Sequence, residues 1–136
     1  MKTKKKELHD KKHFFVVCDT FQLDIAIFVN HSEQEIIKKM SRFKGVKEFL
    51  TKYYNDTKDN DTSTQGYMVE LPTGFILSFN FKKDSFRKNC GIIVHEVTHL
   101  VQYTLRNRRI PLNEDTEEIY AYMTEEIVKK ILLKLY

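Results

Sequence analysis

The sequence has no long hydrophobic run. Among its 136 residues, uninterrupted apolar stretches such as residues 25–29 are short, whereas a transmembrane helix needs ~20 apolar residues. The lysine-rich N-terminus is not followed by the apolar core of a signal peptide. We therefore expect a cytoplasmic protein that makes no contact with a membrane.

Cysteine is equally scarce, since Cys18 and Cys90 are the only two in the chain. A disulfide framework in so short a chain would need more cysteines, and these two do not form a paired metal-binding motif. We expect both to be reduced thiols.

An excess of positive charge is confined to the N-terminus. Residues 1–12 contain six lysines against Glu7 and Asp10, so they hold the whole formal net charge of +4 and leave the remainder neutral. This pattern predicts a basic disordered tail over residues 1–12 and a single domain over residues 13–136. The tail could touch nucleic acid or any acidic surface, but nothing else in the chain predicts specific nucleic-acid binding.

The hydrophobic pattern predicts an α+β domain. It has N-terminal strands plus a helix, then a hairpin, and finally two helices. The predicted elements are strands 13–18 and 21–29, a helix after Ser32, hairpin strands 67–71 and 75–81, and helices 86–107 and 116–134. The polar segment 55–66 is predicted to be a surface loop.

Three details of the first half can be tested directly. Apolar residues alternate through residues 21–29, which predicts a half-buried strand. Ser32 followed by Glu35 is a capping-box pattern at the start of a helix. Phe43, and Phe49 if the helix resumes after Gly45, are expected to face inward with the other apolar residues of this segment.

The motif that suggests chemistry is His95-Glu96-Val97-Thr98-His99, an H-E-x-x-H sequence within the predicted helix 86–107. Residues four apart lie one turn apart on the same helix face. Both imidazoles can therefore reach one Zn²⁺ at the usual Zn–N distance of ~2.0–2.1 Å. Glu96 lies beside this face, where it could take a proton from a water molecule.

A catalytic zinc site needs a third protein ligand. No histidine follows His99, and the extended metzincin pattern is excluded because positions 102 and 105 lack the required Gly and His. A carboxylate from the next helix is the natural alternative. Glu118 lies nineteen residues after His99, and Glu117 is the other candidate. If Asp115 is the N-cap of that helix, Glu118 would instead close a capping box.

His95-Glu96-x-x-His99 followed by a glutamate on the next helix resembles the gluzincin arrangement of thermolysin-like zinc peptidases. More closely, residues 67–128 resemble small metallopeptidase-like proteins of phages and prophages, whose H-E-x-x-H helix leads through an acidic turn into E-x-x-A-Y, here residues 118–122. The resemblance implies a small zincin-like domain with Zn²⁺ as cofactor. It implies His95, His99 and Glu118 as metal ligands and Glu96 as the catalytic base.

The resemblance also implies a peptide or protein substrate, and a location in the host cytoplasm or the virion if the chain is phage-encoded. The chain lacks the distal catalytic histidine of thermolysin-like enzymes, which a Tyr or Arg could replace. The candidates are Tyr103, Arg106, Tyr120 and Tyr122. The strand over residues 75–81 could lie along the cleft and pair with an extended peptide.

Two alternatives stay open at this point. The first is a non-catalytic zinc-binding structural or assembly protein of a phage with a zincin-like fold. The intact Glu96 argues against it, because a purely structural site needs no base. The second is a basic-tailed adaptor in which the motif is accidental. The sequence predicts no oligomeric state.

Overall fold

The computed structural model of the chain describes residues 11–58, 65–81 and 85–136. Within these residues it has four strands and four helices. In chain order they are β1 (Lys12–Cys18), β2 (Leu23–Val29), α1 (Glu33–Met40), α2 (Val46–Asp56), β3 (Gly66–Leu71), β4 (Gly74–Phe79), α3 (Phe86–Asn107) and α4 (Glu117–Leu135). The predicted α+β class is confirmed.

The strands form one mixed sheet in the order β1-β2-β4-β3. Strand β2 is antiparallel to β1 and parallel to β4, and β3 and β4 form an antiparallel hairpin. Strand β4 is therefore paired on both sides. The prediction that a peptide could add to residues 75–81 is wrong, because the backbone groups needed for pairing are already used. Strand β3 is the edge strand at this end of the sheet.

Helices cover both faces of the sheet. Ile27 and Leu77 belong to a core shared with α3 and α4, whereas Ala26, Phe28 and Ile76 belong to a second core shared with α1 and α2. The prediction of a half-buried β2 is wrong, since Ala26 and Phe28 are 3% and 0% exposed. Alternation of residue types along a strand indicates only that its two faces have different neighbours. Here α1 and α2 supply a second apolar layer, which buries the other face of β2.

The segment after β2 begins as predicted and then departs from the prediction. Ser32 caps α1 and forms a capping box with Glu35. The helix ends at Met40, and α2 starts after Gly45, whose φ of +78° suits glycine. Phe43 and Phe49 are 37% and 38% exposed. Their predicted inward orientation is wrong, because the break between α1 and α2 interrupts the helical face.

Helix α4 is held over β1 by hydrogen bonds from the β1–β2 turn to Glu126. The carboxylate accepts from the Asp19 amide at 2.6 Å, from the Thr20 hydroxyl at 2.9 Å and from Lys130 Nζ at 3.0 Å. Burial alone would raise the pKa of Glu126, but these hydrogen bonds and one from Cys18 lower it to about 2. With α4 fixed over β1, helix α3 lies against β3 and β4.

The domain includes the last two residues of the predicted tail. Lys11 pairs with Glu35. Lys12 is the first residue of β1, and its Nζ donates to the Leu135 carbonyl. The other ten residues of the predicted tail lie outside the described residues.

The cysteines and the lengths of the helices bear on two further predictions. Cys18 and Cys90 are both free thiols, as predicted. No helix among residues 11–58, 65–81 and 85–136 has the length and the apolarity required to cross a membrane.

Candidate metal centre

Helix α3 spans the range predicted for it and determines which side chains face outward. Its buried residues recur at helical spacing and include Ile93, Val97 and Leu100. His95 and His99 lie away from this stripe, and both are exposed. Glu96 lies at the margin between the stripe and the histidines and is buried, with 9% of its surface exposed.

The two histidines converge on one point. Their Nε2 atoms are 3.1 Å apart, and the ring planes are 81° apart with centroids separated by 4.6 Å. Two nitrogen ligands at ~2.0–2.1 Å from a tetrahedral zinc ion are about 3.3–3.4 Å apart. The separation of the His95 and His99 nitrogens is close to this value, so the pair fits two ligands of one zinc ion.

The Glu96 carboxylate lies beside the histidine pair, at the wall of a groove. Its Oε2 is 4.0 Å from His95 Nε2, a distance that one water molecule can bridge. The Glu96 carboxylate accepts no hydrogen bond from a residue in the described ranges. Its oxygens are accessible from the groove that Glu96 lines, so water can hydrate them. A group with proton-accepting capacity therefore lies beside the histidine pair.

Gly66 at the start of β3 allows this arrangement. A Cβ at this position would lie 2.9 Å from Glu96 Cγ and 3.1 Å from Ile92 Cγ2. The edge strand can approach the helix at Glu96 only because residue 66 has no side chain. The role of Gly66 cannot be predicted from the sequence, because it depends on a contact between residues thirty positions apart.

The histidines open into a groove between α3 and β3 with a volume of about 460 Å³. It is lined by Gly66, Tyr67 and Met68 of β3 and by His95, Glu96, His99, Gln102, Tyr103 and Arg106 of α3. The Asn80 amide donates to the Gln65 carbonyl. This hydrogen-bonded pair fixes which residues of β3 face β4, so the backbone groups of Gly66, Met68 and Glu70 point away from β4, along an edge that no described strand covers.

The structure separates the four residues suggested as substitutes for a distal histidine. Tyr103 lines the groove, and its hydroxyl donates to Glu70 Oε1 at 2.7 Å. Arg106 lines the groove one turn further along α3. Tyr120 is buried and donates to the Ile110 carbonyl, and Tyr122 is 66% exposed on α4. Only Tyr103 and Arg106 are thus placed beside the histidines.

Glu118 lies at the start of α4. It is exposed in the first turn of α4 and is not among the residues that line the groove. Among the residues described, no group of three or more His, Cys, Asp or Glu side chains is arranged to hold a metal ion. The structure brings together His95, Glu96 and His99, while Glu118 as third ligand, with Glu117 as its alternative, stays a prediction.

The start of α4 also differs from the expectation. The N-cap is Thr116, not Asp115, and Thr116 makes no side-chain capping bond. The Asn113 side chain accepts from the amides of Asp115 and Thr116, which delays the helix by one residue. The alternative role of Glu118, in which it closes a capping box with Asp115 as the N-cap, is therefore wrong.

Comparisons of the chain with protein-family models, with characterised proteins and with solved structures find no match. The interpretation of the site therefore depends on the geometry of its own residues.

Proposed function

We propose that the chain is a zinc-dependent peptidase of the zincin-like class. The observation that supports it most is the combination of a histidine pair with Nε2 atoms 3.1 Å apart and a buried carboxylate beside it. A purely structural site needs only ligands. The neighbouring Glu96, without a described hydrogen-bond partner, favours hydrolysis.

His95 and His99 would hold the metal through their Nε2 atoms, with Glu118 as the proposed third ligand. Bound zinc supplies Lewis-acid chemistry, acidifying a water molecule and polarising a carbonyl group. Glu96 accepts the proton of the attacking water and delivers it to the leaving nitrogen. Its burial beside Gly66 restricts its movement, which keeps the carboxylate close to the reacting atoms.

Strand β3 is the proposed substrate-binding element in place of the internal β4. The outward-facing backbone groups of Gly66, Met68 and Glu70 can pair with an extended peptide, as an added strand does at a sheet edge. Gly66 and Met68 line the groove next to the histidines. A peptide on this edge would therefore pass close to Glu96.

Tyr103 is the proposed stabiliser of negative charge on the substrate. Its hydroxyl is held by Glu70, and its ring packs edge-on against Phe75 with centroids 6.0 Å apart. The hydroxyl has one proton, which Glu70 accepts in the free protein, so we propose that this proton turns from Glu70 to the substrate when an oxyanion develops. We expect Tyr103→Phe to lower kcat more than it raises KM.

The first test is the zinc content of purified protein and its dependence on the histidines. We expect about one Zn²⁺ per chain, and loss of tight binding in His95→Ala and in His99→Ala, because the remaining ligands cannot hold the ion. Stoichiometric zinc in the His95→Ala, His99→Ala double variant would overturn the assignment of the site.

The second test separates an enzyme from a structural zinc protein. Glu96→Gln keeps the shape of the side chain but cannot accept a proton. It should retain zinc and lose cleavage of a broad peptide library by ~10²-fold or more. No zinc-dependent cleavage by the wild type would favour the non-catalytic zinc protein. Cleavage unchanged in Glu96→Gln would show that the activity has another source.

A further inference from the structure

The groove continues beyond the histidines in both directions along α3. On one side Lys88 lies with Gly91, Ile92 and His95 around a second cavity of about 420 Å³, which also contacts Gly66. On the other side Arg106 follows Tyr103. His95 and Glu96 line both parts, so a single chain of ligand atoms could cross the histidine pair from one part to the other.

The two ends of this groove have the same charge. Lys88 and Arg106 are both exposed, and neither side chain forms an ion pair or hydrogen bond with a residue that the structure describes. The acidic groups beside the groove are in a different situation. Glu96 is buried next to His95, and Glu70 accepts the hydroxyl of Tyr103. Among the residues that the structure describes, the charged side chains that line the two ends of the groove are therefore positive, and the carboxylates of Glu96 and Glu70 lie between them.

The dimensions match a short extended peptide. Eighteen residues separate Lys88 from Arg106, which corresponds to about 27 Å at a rise of ~1.5 Å per residue. An extended chain advances ~3.3 Å per residue, so about eight residues cover this distance. Residue 97, next to Glu96, lies midway between the two cations. Each cation is thus about four extended residues from the position of cleavage.

We infer that the groove selects extended peptides with acidic side chains on both sides of the cleaved bond, with Lys88 and Arg106 as the specificity-determining residues. This inference rests on the proposed function for the identity of the bound peptide as substrate. The backbone edge of β3 gives sequence-independent pairing, and the two terminal cations add the preference for acidic residues. Exposed charge pairs of this kind each change affinity by about two- to fivefold.

The test compares two labelled peptides of about ten residues, one with glutamate near both ends and one with glutamine at those positions. Binding is measured by fluorescence anisotropy to zinc-loaded Glu96→Gln protein, which should not cleave the probe. We expect the glutamate peptide to bind about five- to tenfold more tightly at low salt, and the difference to shrink as salt screens the charges. Cleavage by the wild type should show the same order.

Charge-reversal variants show which residues cause the preference for the glutamate peptide. Lys88→Glu and Arg106→Glu should each weaken the glutamate peptide by about three- to tenfold and leave the glutamine peptide within about twofold. Arg87→Glu, an exposed neighbour on α3 outside the groove lining, and Lys129→Glu on α4 are the matched controls and should change neither. Equal binding of both peptides, or equal loss in the controls, would overturn the inference.

The two proposals fail in different ways. Cleavage by the wild type without preference for the glutamate peptide would retain the peptidase and remove the charge selection. Preference for the glutamate peptide that depends on Lys88 and Arg106, in a protein that cleaves nothing, would remove the peptidase and retain an acidic-peptide groove.

Discussion

Replacing Gly66 with alanine should disable the site without unfolding the protein. A Cβ at this position would lie 2.9 Å from Glu96 Cγ and 3.3 Å from Glu96 Oε2. Carbon atoms in ordinary contact are ~3.5–4.0 Å apart, so the Glu96 side chain must move by about 0.6–1 Å. Because changing a side-chain rotamer costs less than moving a strand, we expect Glu96 to rotate rather than to push β3 away from the helix.

The expected loss is large for activity and small for stability. A displacement of ~1 Å of a catalytic group can lower the rate by ~10²-fold. Overpacking costs about 1–3 kcal/mol, and it is partly offset by ~0.4–1 kcal/mol because alanine restricts the unfolded chain. Zinc content should be unchanged, since neither His95 nor His99 is among the atoms closest to the new Cβ.

Gly91→Ala is the matched control. A Cβ at Gly91 would meet no atom within 4 Å, although this residue also lines part of the groove. In a helix interior the change should raise the free energy of unfolding by about 0.5–1 kcal/mol. The assays are kcat/KM, zinc content and thermal unfolding for both variants. Full activity in Gly66→Ala, or an equal loss in Gly91→Ala, would refute the assigned role of the Gly66–Glu96 contact.

Three further predictions concern Glu126, two histidines with lowered pKa values, and the third metal ligand. Glu126 has a pKa of about 2, whereas the ordinary value is 4.5. Its contribution to stability is therefore complete above pH 4.5 and is lost as the pH falls toward 2. Glu126→Gln should lower the free energy of unfolding near neutral pH by about 2–3 kcal/mol, and urea titrations should show a weaker dependence of stability on acid pH. Burial lowers the pKa of His13 and His31 below 6.5. The stability that these two neutral histidines contribute should therefore be complete above pH 6.5 and decrease as the pH falls below it. A free energy of unfolding that stays constant below pH 6.5 in chemical denaturation would contradict this contribution. In a chelator titration Glu118→Ala should bind zinc more weakly than Glu117→Ala, and the reverse order would assign the third ligand to Glu117.

Features that depend on nearby residues could be predicted from the sequence. The range of α3 follows from the recurrence of apolar residues such as Ile93, Val97 and Leu100, which any helical packing must bury. The convergence of His95 and His99 follows from their spacing of four, because helix geometry alone places them one turn apart. The capping box at Ser32 is likewise complete within four residues.

Features that depend on which elements are neighbours could not be predicted. The order of the strands decides that β3 is at the edge and that β4 is internal, and the hairpin pattern is the same in either case. The second helical layer decides that Ala26 and Phe28 are buried. At α4 the Asn113 side chain competes for the backbone amides that Asp115 was expected to organise, and a capping pattern does not report such a competitor.

The long-range features also bear on whether the motif is accidental. An H-E-x-x-H sequence arising by chance on an amphipathic helix places no requirement on the strand that packs beside its glutamate. Here Glu96 is 9% exposed and lines the groove beside the histidines. The edge strand approaches this side chain at a glycine that leaves no space for a Cβ. This close approach of the edge strand to the motif glutamate favours a functional site, because an accidental motif requires no glycine at that position.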